Sequence, residues 1–292
     1  MVKFVNAKLN LGLNILRKRA DGYHDLETLF YPVGLYNGTP VNPQPFCDIL
    51  DVVAVDSCSD SFFFSGNSID SPLEKNLVFK ALEAFRRLVP ESREVRFSIC
   101  LDKHIPDGAG LGGGSADAGF LLATLNELSG FPLTKESLIA LAATIGADCP
   151  FFIENRPVLA SGIGEVMSPV DINLYGLWAV IVKPDVYVST REAFSGIVPR
   201  IPSVSIADIV SHPVEEWHER GLKNDFEDHI FRLFPSLGSI VSALRNQGAL
   251  YSAMSGSGSS LFGLFHGQEA ASAAASSLSS MFPSSLSFIC KL

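Results

Sequence analysis

The sequence lacks any apolar run long enough to span a bilayer, and residues 1–14 lack the long apolar core of a secretory signal peptide. Positive charge is also scarce, because 22 Lys and Arg stand against 31 Asp and Glu and leave a formal net charge of −9. A chain with this balance lacks the broad basic surface that binds nucleic-acid backbones or anionic lipids. We therefore expect a cytoplasmic protein that binds neither nucleic acid nor membrane and captures any anionic ligand locally.

The cysteine and histidine patterns exclude two further classes of protein. The five cysteines are odd in number and show no paired spacing of the kind that binds zinc. None of the six histidines lies in an H-E-x-x-H motif. These absences argue against a disulfide scaffold and a zinc enzyme, and they indicate the reduced thiols of a cytoplasmic protein.

The remaining composition is that of an ordinary folded chain. Hydrophobic residues make up 47% and charged residues 18% of the 292 residues, unlike the polar, highly charged profile of disorder. This length favours two domains, or one large domain, with room for a cleft. Composition shows no linker, so the layout of the motifs below places the predicted domains at residues 1–154 and 155–292.

Hydrophobic periodicity predicts a mixture of strands and helices. Strands are predicted at residues 1–16, 26–33, 49–55, 62–64, 95–101, 151–153, 158–161 and 177–183, and on both sides of a glycine-serine turn within 251–265. Helices are predicted at 76–88, 116–128, 134–145 with Thr134 as N-cap, 207–219, 231–246 and 269–280. Residues 39–45 hold three prolines and are predicted to form a loop.

A glycine-rich segment joins the predicted strand at 95–101 to the predicted helix at 116–128. Five of the seven residues from Gly108 to Gly114 are glycine, a density that is useful only where backbone adopts positive φ or approaches a ligand closely. Amides at the start of the following helix would bind phosphate oxygens with help from the helix dipole. The hydroxyl of Ser115 adds a further donor, so we predict a phosphate-binding loop rather than a flexible surface turn.

Two better-known phosphate motifs fit this segment less well. Gly108, Gly110 and Gly113 have the G-x-G-x-x-G spacing of a dinucleotide fold, but a further helix follows residue 128 where that fold needs a strand ending in an acidic residue. A Walker A loop needs lysine where Gly114 stands.

Residues 106–118, which read P-D-G-A-G-L-G-G-G-S-A-D-A, resemble the signature motif of the GHMP kinases. Residues 7–11 (A-K-L-N-L), 19–24 (R-A-D-G-Y-H) and 146–152 (G-A-D-C-P-F-F) resemble members that act on an alcohol bearing cytidine diphosphate. Residues 255–258 (S-G-S-G) resemble the third motif of the family. The motifs occur in the family's order and span nearly the whole chain.

This resemblance implies both a fold and an activity. The implied fold is α+β, with a ribosomal-protein S5-like N-terminal domain, a ferredoxin-like C-terminal domain and the active site between them. The implied reaction moves the γ-phosphoryl group of ATP, with Mg²⁺, to the 2-hydroxyl of a methylerythritol derivative that carries cytidine diphosphate, in non-mevalonate isoprenoid synthesis. The implied partner is this small molecule, with the chain a monomer or weak homodimer.

The resemblance also implies a catalytic pair. Asp148 is the expected general base, in a setting after a glycine and before Cys149-Pro150 that aims a carboxylate into a cleft. Lys8 is flanked by Ala7 and Leu9 on the first strand, where an inward lysine is costly unless it meets a carboxylate. We expect Lys8 to pair with Asp148, to hold it ionised and to stabilise the attacking oxygen.

Five residues are expected to contact the acceptor substrate. Asn10 shares a strand face with Lys8 and by resemblance hydrogen-bonds the polyol. Tyr23 would stack on cytosine, His24 would meet its hydrogen-bonding edge, Phe194 would form the opposing wall and Thr190 would contact the diphosphate. Such stacking is worth about 1–3 kcal/mol per base, enough to select a nucleotide-bearing alcohol.

For ATP, the resemblance implies contacts along the phosphate loop, which we define as residues 106–115, and three positions outside it. These residues are Asn76, Leu77, Lys103, Pro106, Gly108, Ala109, Gly110, Leu111, Gly112, Gly113, Gly114 and Ser115. Ser115 is the only protein ligand expected for Mg²⁺, which relies mostly on phosphate oxygens and water.

Three features depart from the family pattern. Asp107 places a negative charge where small or apolar residues are commoner, and Ser195 stands where some relatives carry a basic residue. The loop at 39–45 looks expanded.

Two other functions remain open on the sequence alone. One is a GHMP kinase for a different alcohol, of the homoserine or mevalonate type, although residues 21–24 argue against it. The other is a non-catalytic GHMP-fold binding protein, which we would expect to have lost Lys8 or Asp148.

Overall fold

The structure, a computed structural model, describes residues 1–35, 46–68 and 72–292. Over residues 1–169 the described elements are β1 (Val2–Lys18), β2 (His24–Val33), β3 (Cys47–Val55), β4 (Ser61–Gly66), α1 (Leu77–Leu88), β5 (Arg96–Lys103), α2 (Gly113–Leu128), α3 (Lys135–Ala143), α4 (Cys149–Glu154), β6 (Val158–Ser161) and β7 (Val166–Pro169). The rest are β8 (Leu177–Lys183), α5 (Thr190–Ser195), α6 (Ile206–Val210), α7 (Glu227–Leu233), α8 (Pro235–Asn246), β9 (Tyr251–Met254), β10 (Leu261–His266), α9 (Gly267–Met281) and β11 (Leu286–Lys291).

The first sheet has seven strands in the order β4-β5-β3-β1-β2-β6-β7. The long strand β1 lies at its centre because its first part pairs with β3 and the remainder pairs with β2. Helices α1, α2 and α4 enclose an apolar core with the strands. The side chains of Leu121, Leu122 and Leu125 on α2 are fully buried in that core, as the predicted apolar helix face requires.

The second sheet has four strands in the order β11-β8-β10-β9. Its chain order of strand, helix, two strands, helix and strand is that of a ferredoxin-like unit, with α8 and α9 as the two helices. Together with the first sheet it confirms the predicted α+β class. A further apolar cluster joins the two sheets, since Leu9 and Leu11 of β1 share it with Ile181 and Phe262 of the second sheet.

Three predictions of secondary structure are wrong in detail. The strand predicted at 151–153 is part of the helix α4, which has Pro150 in its first turn. An apolar run of three residues is too short to show whether the hydrophobic period is that of a strand or of a helix. The helix predicted at 231–246 is two helices, since Pro235 starts α8 anew. The helix predicted at 207–219 is short, ending at Val210 before a 3₁₀ turn at Val214–Glu216. The strands β7 and β11 and the helix α5 were not predicted.

Two further predictions concern how the chain is divided. The predicted domain border at residue 154 stays a prediction, and β6 and β7, which follow it, pair with β2 in the first sheet. The predicted proline loop at 39–45 lies outside the described residues.

Across the described ranges, no helix has the length and apolar character needed to cross a membrane.

Candidate active site

The phosphate loop enters α2 through glycines in the left-handed region. Gly108, Gly110 and Gly112 have φ of +60°, +77° and +73°, so the positive φ that the glycine density predicts is confirmed. The amide of Ala116 bonds to the carbonyl of Gly112 at 2.8 Å, which leaves the three preceding amides of α2 without an intrahelical acceptor. This end of α2 is therefore built to receive an anion.

Apolar anchors alternate with the glycines of this loop. Ala109 and Leu111 are buried, and their side chains belong to the core between the two sheets. Asp107, the unusual acid of this segment, is exposed, so water solvates its charge. The loop is thus held by its apolar residues, and the first amides of α2 keep no intrahelical acceptor that would compete with a ligand.

The third glycine loop, which we define as residues 255–258, lies directly against the phosphate loop. A Cβ on Gly110 would lie 2.1 Å from the carbonyl oxygen of Ser255, so only glycine allows this approach. The Ser255 hydroxyl donates to the Gly110 carbonyl at 2.8 Å, and the Ser260 amide donates to the Ala109 carbonyl at 3.1 Å. These contacts bring the signature motif and the third motif of the family together.

Lys8 and Asp148 meet beside the phosphate loop. Their side chains form an ion pair with 3.5 Å between Nζ and Oδ2. The Lys8 ammonium also donates to Oδ1 of Asn10 at 2.5 Å and to the Gly110 carbonyl at 3.2 Å, and it lies 4.9 Å from the centre of the Phe30 ring. Burial lowers the pKa of Lys8, and the charge of Asp148 opposes that change.

The position of Asp148 is set by α4. Asp148 is the residue before α4, and Phe151 and Phe152 of that helix are buried. A Cβ on Gly119 of α2 would lie 2.8 Å from Cβ of Phe152, so α2 and α4 pack at close range. The Asp148 side chain remains 31% exposed against 4% for Lys8, which makes the carboxylate the accessible member of the pair.

Both the side chain and the backbone amide of Asn10 make hydrogen bonds. Its Nδ2 donates to Oγ1 of Thr28 at 2.9 Å, and the Thr28 hydroxyl donates to the Gly12 carbonyl at 2.6 Å. The Asn10 backbone amide donates to the Ser255 hydroxyl at 3.2 Å. Asn10 therefore joins the first strand to the third glycine loop, with its amide oxygen directed at Lys8.

A cavity of about 510 Å³ contains the residues predicted for catalysis and acceptor binding. This volume is within the range of small-molecule sites, roughly 300–1,000 Å³. The predicted residues that line the cavity are Lys8, Asn10, Tyr23, His24, Gly110, Gly112, Asp148, Thr190 and Phe194. They lie on β1, at or directly before the start of β2, in the phosphate loop, directly before α4 and on α5, so the cavity lies between the first sheet and the part of the chain that follows β8.

Two aromatic residues of the cavity contact each other directly. Phe194 stacks on His24, with 4.8 Å between ring centres and 24° between planes, whereas Tyr23 is 60% exposed at the rim. Phe226 packs edge-on against the other side of Phe194 at 4.8 Å. Burial, with a smaller contribution from the charge of Lys18, lowers the pKa of His24, which favours the neutral ring. The base-stacking roles of Tyr23 and Phe194 stay predictions.

A second cavity, of about 280 Å³, lies near the start of α1. Asn76 lines it and caps α1, accepting the Val78 amide at 2.9 Å. Leu77, the next residue, contacts the phosphate loop, since its Cδ1 is 3.8 Å from the position of a Cβ on Gly114. The two places predicted to hold nucleotide base and phosphate are therefore neighbours.

Lys103 has partners that the sequence analysis did not anticipate. Its ammonium is 4% exposed and binds the carboxylates of Asp48 and of Asp117, the latter at 2.7 Å. Burial alone would lower the pKa of Lys103, but the charges of Asp117 and Asp48 raise it. Contact between Lys103 and ATP stays a prediction, and the structure gives its charge a different role.

Several cavity residues were missed by the sequence analysis. Thr28, Ile163, Gly164 and Phe226 all line the 510 Å³ cavity. Thr28 lies at an inward position of β2, so the period-two pattern contained a usable signal. Phe226 stands in a segment without a motif, and nothing local identified it. Among the described residues, no group of three or more His, Cys, Asp or Glu side chains is arranged to hold a metal ion.

Comparisons with known proteins identify the family. Residues 76–156 match the model of the GHMP kinases N terminal domain, and residues 212–284 match the model of the GHMP kinases C terminal. A 4-diphosphocytidyl-2-C-methyl-D-erythritol kinase of Bacteroides fragilis is 48% identical over 271 residues, covering 92% of this chain and 93% of the relative. The chain belongs to the GHMP kinase family.

One further relative and one solved structure are also similar to this GHMP kinase over most of its length. A 4-diphosphocytidyl-2-C-methyl-D-erythritol kinase of Parabacteroides distasonis is 49% identical over 267 residues, covering 91% of this chain and 92% of the relative. A crystal structure of 4-(cytidine 5'-diphospho)-2C-methyl-D-erythritol kinase matches with a TM-score of 0.79 at 32% identity and covers 100% of both chains. The predicted two-domain GHMP kinase fold, S5-like and ferredoxin-like, is confirmed.

Proposed function

We propose that this GHMP kinase transfers the γ-phosphoryl group of ATP to the 2-hydroxyl of 4-diphosphocytidyl-2-C-methyl-D-erythritol, in the non-mevalonate route to isoprenoid precursors. The names of its relatives support this substrate, because identities of 48% and 49% extend over more than nine-tenths of the chain. The carrying structural observation is the ion pair of the buried Lys8 with the partly exposed Asp148, between the phosphate loop and the acceptor cavity.

The pair supports a division of labour in the transfer. Phosphoryl transfer asks the protein mainly for positioning and for neutralisation of charge. Asp148, the exposed member, would accept the proton of the acceptor hydroxyl, while the Lys8 ammonium would stabilise negative charge on the attacking oxygen. The backbone at the start of α2 would hold the phosphates of ATP.

The acceptor end of the site suits a pyrimidine nucleotide. Tyr23, His24 and Phe194 line one part of the cavity, and Thr190 lies at the start of α5 beside it. We propose that cytosine enters against Phe194, where His24 now stacks, and that Tyr23 covers its other face. His24 would then meet the hydrogen-bonding edge of the base and Thr190 the diphosphate.

ATP would occupy the 280 Å³ cavity and the phosphate loop together. Asn76 and Leu77 would flank the base, since one lines that cavity and the other connects it to Gly114. Mg²⁺ would accompany the nucleotide. The residues present fit an ion held chiefly by phosphate oxygens, because the half-buried Ser115 hydroxyl stands at the loop and the described residues form no carboxylate cluster. The ion would supply neutralisation of phosphate charge.

Further elements of the proposal follow from the sequence. We propose a cytoplasmic enzyme, a monomer or weak homodimer, whose partner is the small-molecule substrate. Its N-terminal catalytic and ATP-binding domain would be residues 1–154, and its C-terminal substrate-binding domain would be residues 155–292.

The two alternative functions have less support. A homoserine- or mevalonate-type kinase has no use for the aromatic residues Tyr23, His24 and Phe194, which all line the cavity. A non-catalytic binding protein has no need for a buried lysine beside Asp148, an arrangement that costs desolvation.

A panel assay tests the proposal. ADP release would be measured with 4-diphosphocytidyl-2-C-methyl-D-erythritol, homoserine, mevalonate and the free polyol, using wild type and Asp148→Asn. We expect turnover only of the cytidine compound and only by the wild type. Turnover of homoserine or mevalonate would support a different GHMP kinase, and no turnover of any alcohol would support a binding protein.

A further inference from the structure

Asn224 lies in a segment of the C-terminal half that runs beside β1. The Leu13 amide donates to the Lys223 carbonyl at 2.9 Å, and the Asp225 amide donates to the Leu13 carbonyl at 2.8 Å. The carboxylate of Asp225 accepts the Ile15 amide at 2.8 Å. Residues 223–225 are therefore fixed to the same strand that carries Lys8 and Asn10.

The side chain of Asn224 is buried and fully engaged. It is 1% exposed. Its Nδ2 donates to the carbonyls of Met254 at 2.8 Å and Gly256 at 2.7 Å, while its Oδ1 accepts the Phe226 amide at 3.0 Å. Two donors and an acceptor are needed at this point, and among side chains of this size only an amide provides them.

The two carbonyls that Asn224 holds belong to the third glycine loop and to the residue before it. That loop also contacts Asn10 and the phosphate loop. Ser255 bonds to Asn10 and Gly110, and a Cβ on Gly256 would lie 3.2 Å from Oδ1 of Asn10. Gly256 and Ser257 line the acceptor cavity.

We infer that Asn224 is a positioning residue for the acceptor alcohol, acting by holding the third glycine loop against Asn10 and the phosphate loop. This inference rests on the proposed function for the identity of the alcohol, but the contacts that carry it do not depend on that identity. Asn224 does not line the cavity, so it acts through the loop and not on the substrate.

The expected effect follows from these contacts. Asn224→Asp replaces the two donors with a carboxylate oxygen that faces two carbonyl oxygens, which repel it. The third glycine loop then moves away from Asn10, and misplacement of reacting groups by about 1 Å costs on the order of 100-fold in rate. We expect kcat to fall about 100-fold while the KM for ATP stays within about twofold, because Asn76 and Leu77 are untouched.

Asn126 offers a matched control. It is 3% exposed, donates to the Leu133 carbonyl at 3.0 Å and accepts the Leu133 amide at 3.0 Å. It lies about 20 Å along α2 from Gly113. Asn126→Asp therefore removes a buried amide donor without touching the site, and we expect its kcat to stay near the wild-type value.

The experiment compares Asn224→Asp, Asn224→Ala and Asn126→Asp by steady-state kinetics and by amide hydrogen exchange. The Ala variant carries no charge, so it keeps the comparison available if the Asp variant does not fold. We expect amides of residues 255–260 to exchange about tenfold faster in the Asn224 variants than in the control, with α1 unchanged. Equal kcat values for the Asn224 variants and the control, or unchanged exchange at 255–260, would overturn the inference.

Failure of the proposed function has a different signature. If the wild type phosphorylates another alcohol, the kinetic comparison is made with that alcohol. If it phosphorylates none, the proposed function fails, and the exchange of residues 255–260 still decides whether Asn224 holds the loop.

Discussion

Replacement of Lys103 by methionine separates a structural role of this residue from a nucleotide-binding role. The Lys103 ammonium is the counter-charge of two buried carboxylates, since Asp48 is fully buried and Asp117 is 3% exposed at its side chain. Asp48 also accepts the backbone amides of His104 at 2.6 Å and Ile105 at 2.8 Å, so this cluster fixes the segment that enters the phosphate loop. Lys103→Met keeps most of the length of the side chain and removes its charge.

Removal of one partner from a buried ion pair costs about 3–5 kcal/mol, because the remaining charge has neither water nor a partner. At about 2–4 °C per kcal/mol for a protein of this size, the melting temperature should fall by about 6–20 °C. The KM for ATP per folded molecule should change little. Lys3→Met is the matched control, because Lys3 pairs with Glu127 at 2.8 Å at a solvent-exposed position, where a pair is worth about 0–1 kcal/mol.

The pH dependence of this loss has a definite sign. Burial raises the pKa of Asp117 well above its usual range, and the charge of Lys103 opposes that rise. Without Lys103 the protonated form of Asp117 is favoured further, so stability is lost as the pH rises through its pKa in the folded state. The fall in melting temperature should therefore be greater at pH 8 than at pH 5. A Lys103→Met protein that melts like Lys3→Met, but has a tenfold higher KM for ATP, would refute the structural role.

Three other predictions follow from single side chains. Gly110→Ala should reduce turnover by at least about 100-fold, because its Cβ would lie 2.1 Å from the Ser255 carbonyl; an active Gly110→Ala enzyme in the ADP-release assay would contradict the close approach of the two loops. Phe194→Ala should lose about 1–3 kcal/mol of the preference for the cytidine compound over the free polyol, read from the ratio of their kcat/KM values; an unchanged ratio would count against base stacking. Burial raises the pKa of Glu227 to about 7, so the folded state binds the extra proton and stability falls between about pH 4.5 and 7, by about 3 kcal/mol. Glu227→Gln should remove that fall in urea unfolding curves recorded at pH 5 and pH 8, and identical pH dependence of the two proteins would exclude the buried acid as its cause.

The strand β1, the helix α2 and the start of α3 were predictable from local sequence. The period of two in β1 and the apolar face of α2 are long enough to define strand and helix, and Thr134 caps α3 as expected, accepting the Ser137 amide at 3.3 Å. The density of glycine predicted positive φ in the phosphate loop, because glycine adopts positive φ without the steric cost that a side chain adds. The pairing of Lys8 with Asp148 came from resemblance, since 140 positions separate them and no local pattern joins them.

The remaining features depend on contacts between distant parts of the chain. Asp48 on β3 binds Lys103 on the neighbouring strand β5. The sequence shows the lysine but not this partner, so it could not show that the charge of Lys103 is neutralised by a carboxylate. Asn224 and Phe226 belong to a segment whose backbone pairs with Leu13 of β1, and no periodicity in the sequence indicates that pairing. The short apolar run at 151–153 was ambiguous, and Pro150 at the first turn of α4 was the signal for a helix.

We propose that the Lys8–Asp148 pair directs a phosphoryl group to the 2-hydroxyl of 4-diphosphocytidyl-2-C-methyl-D-erythritol. The most direct measurement is ³¹P NMR of the reaction of that compound with ATP, followed over time with wild type, Asp148→Asn and Lys8→Ala. We predict that the wild type gives a phosphomonoester on the 2-oxygen and that each variant forms it at least about 100-fold more slowly. A phosphate on another hydroxyl, or formation by either variant at near the wild-type rate, would contradict the account.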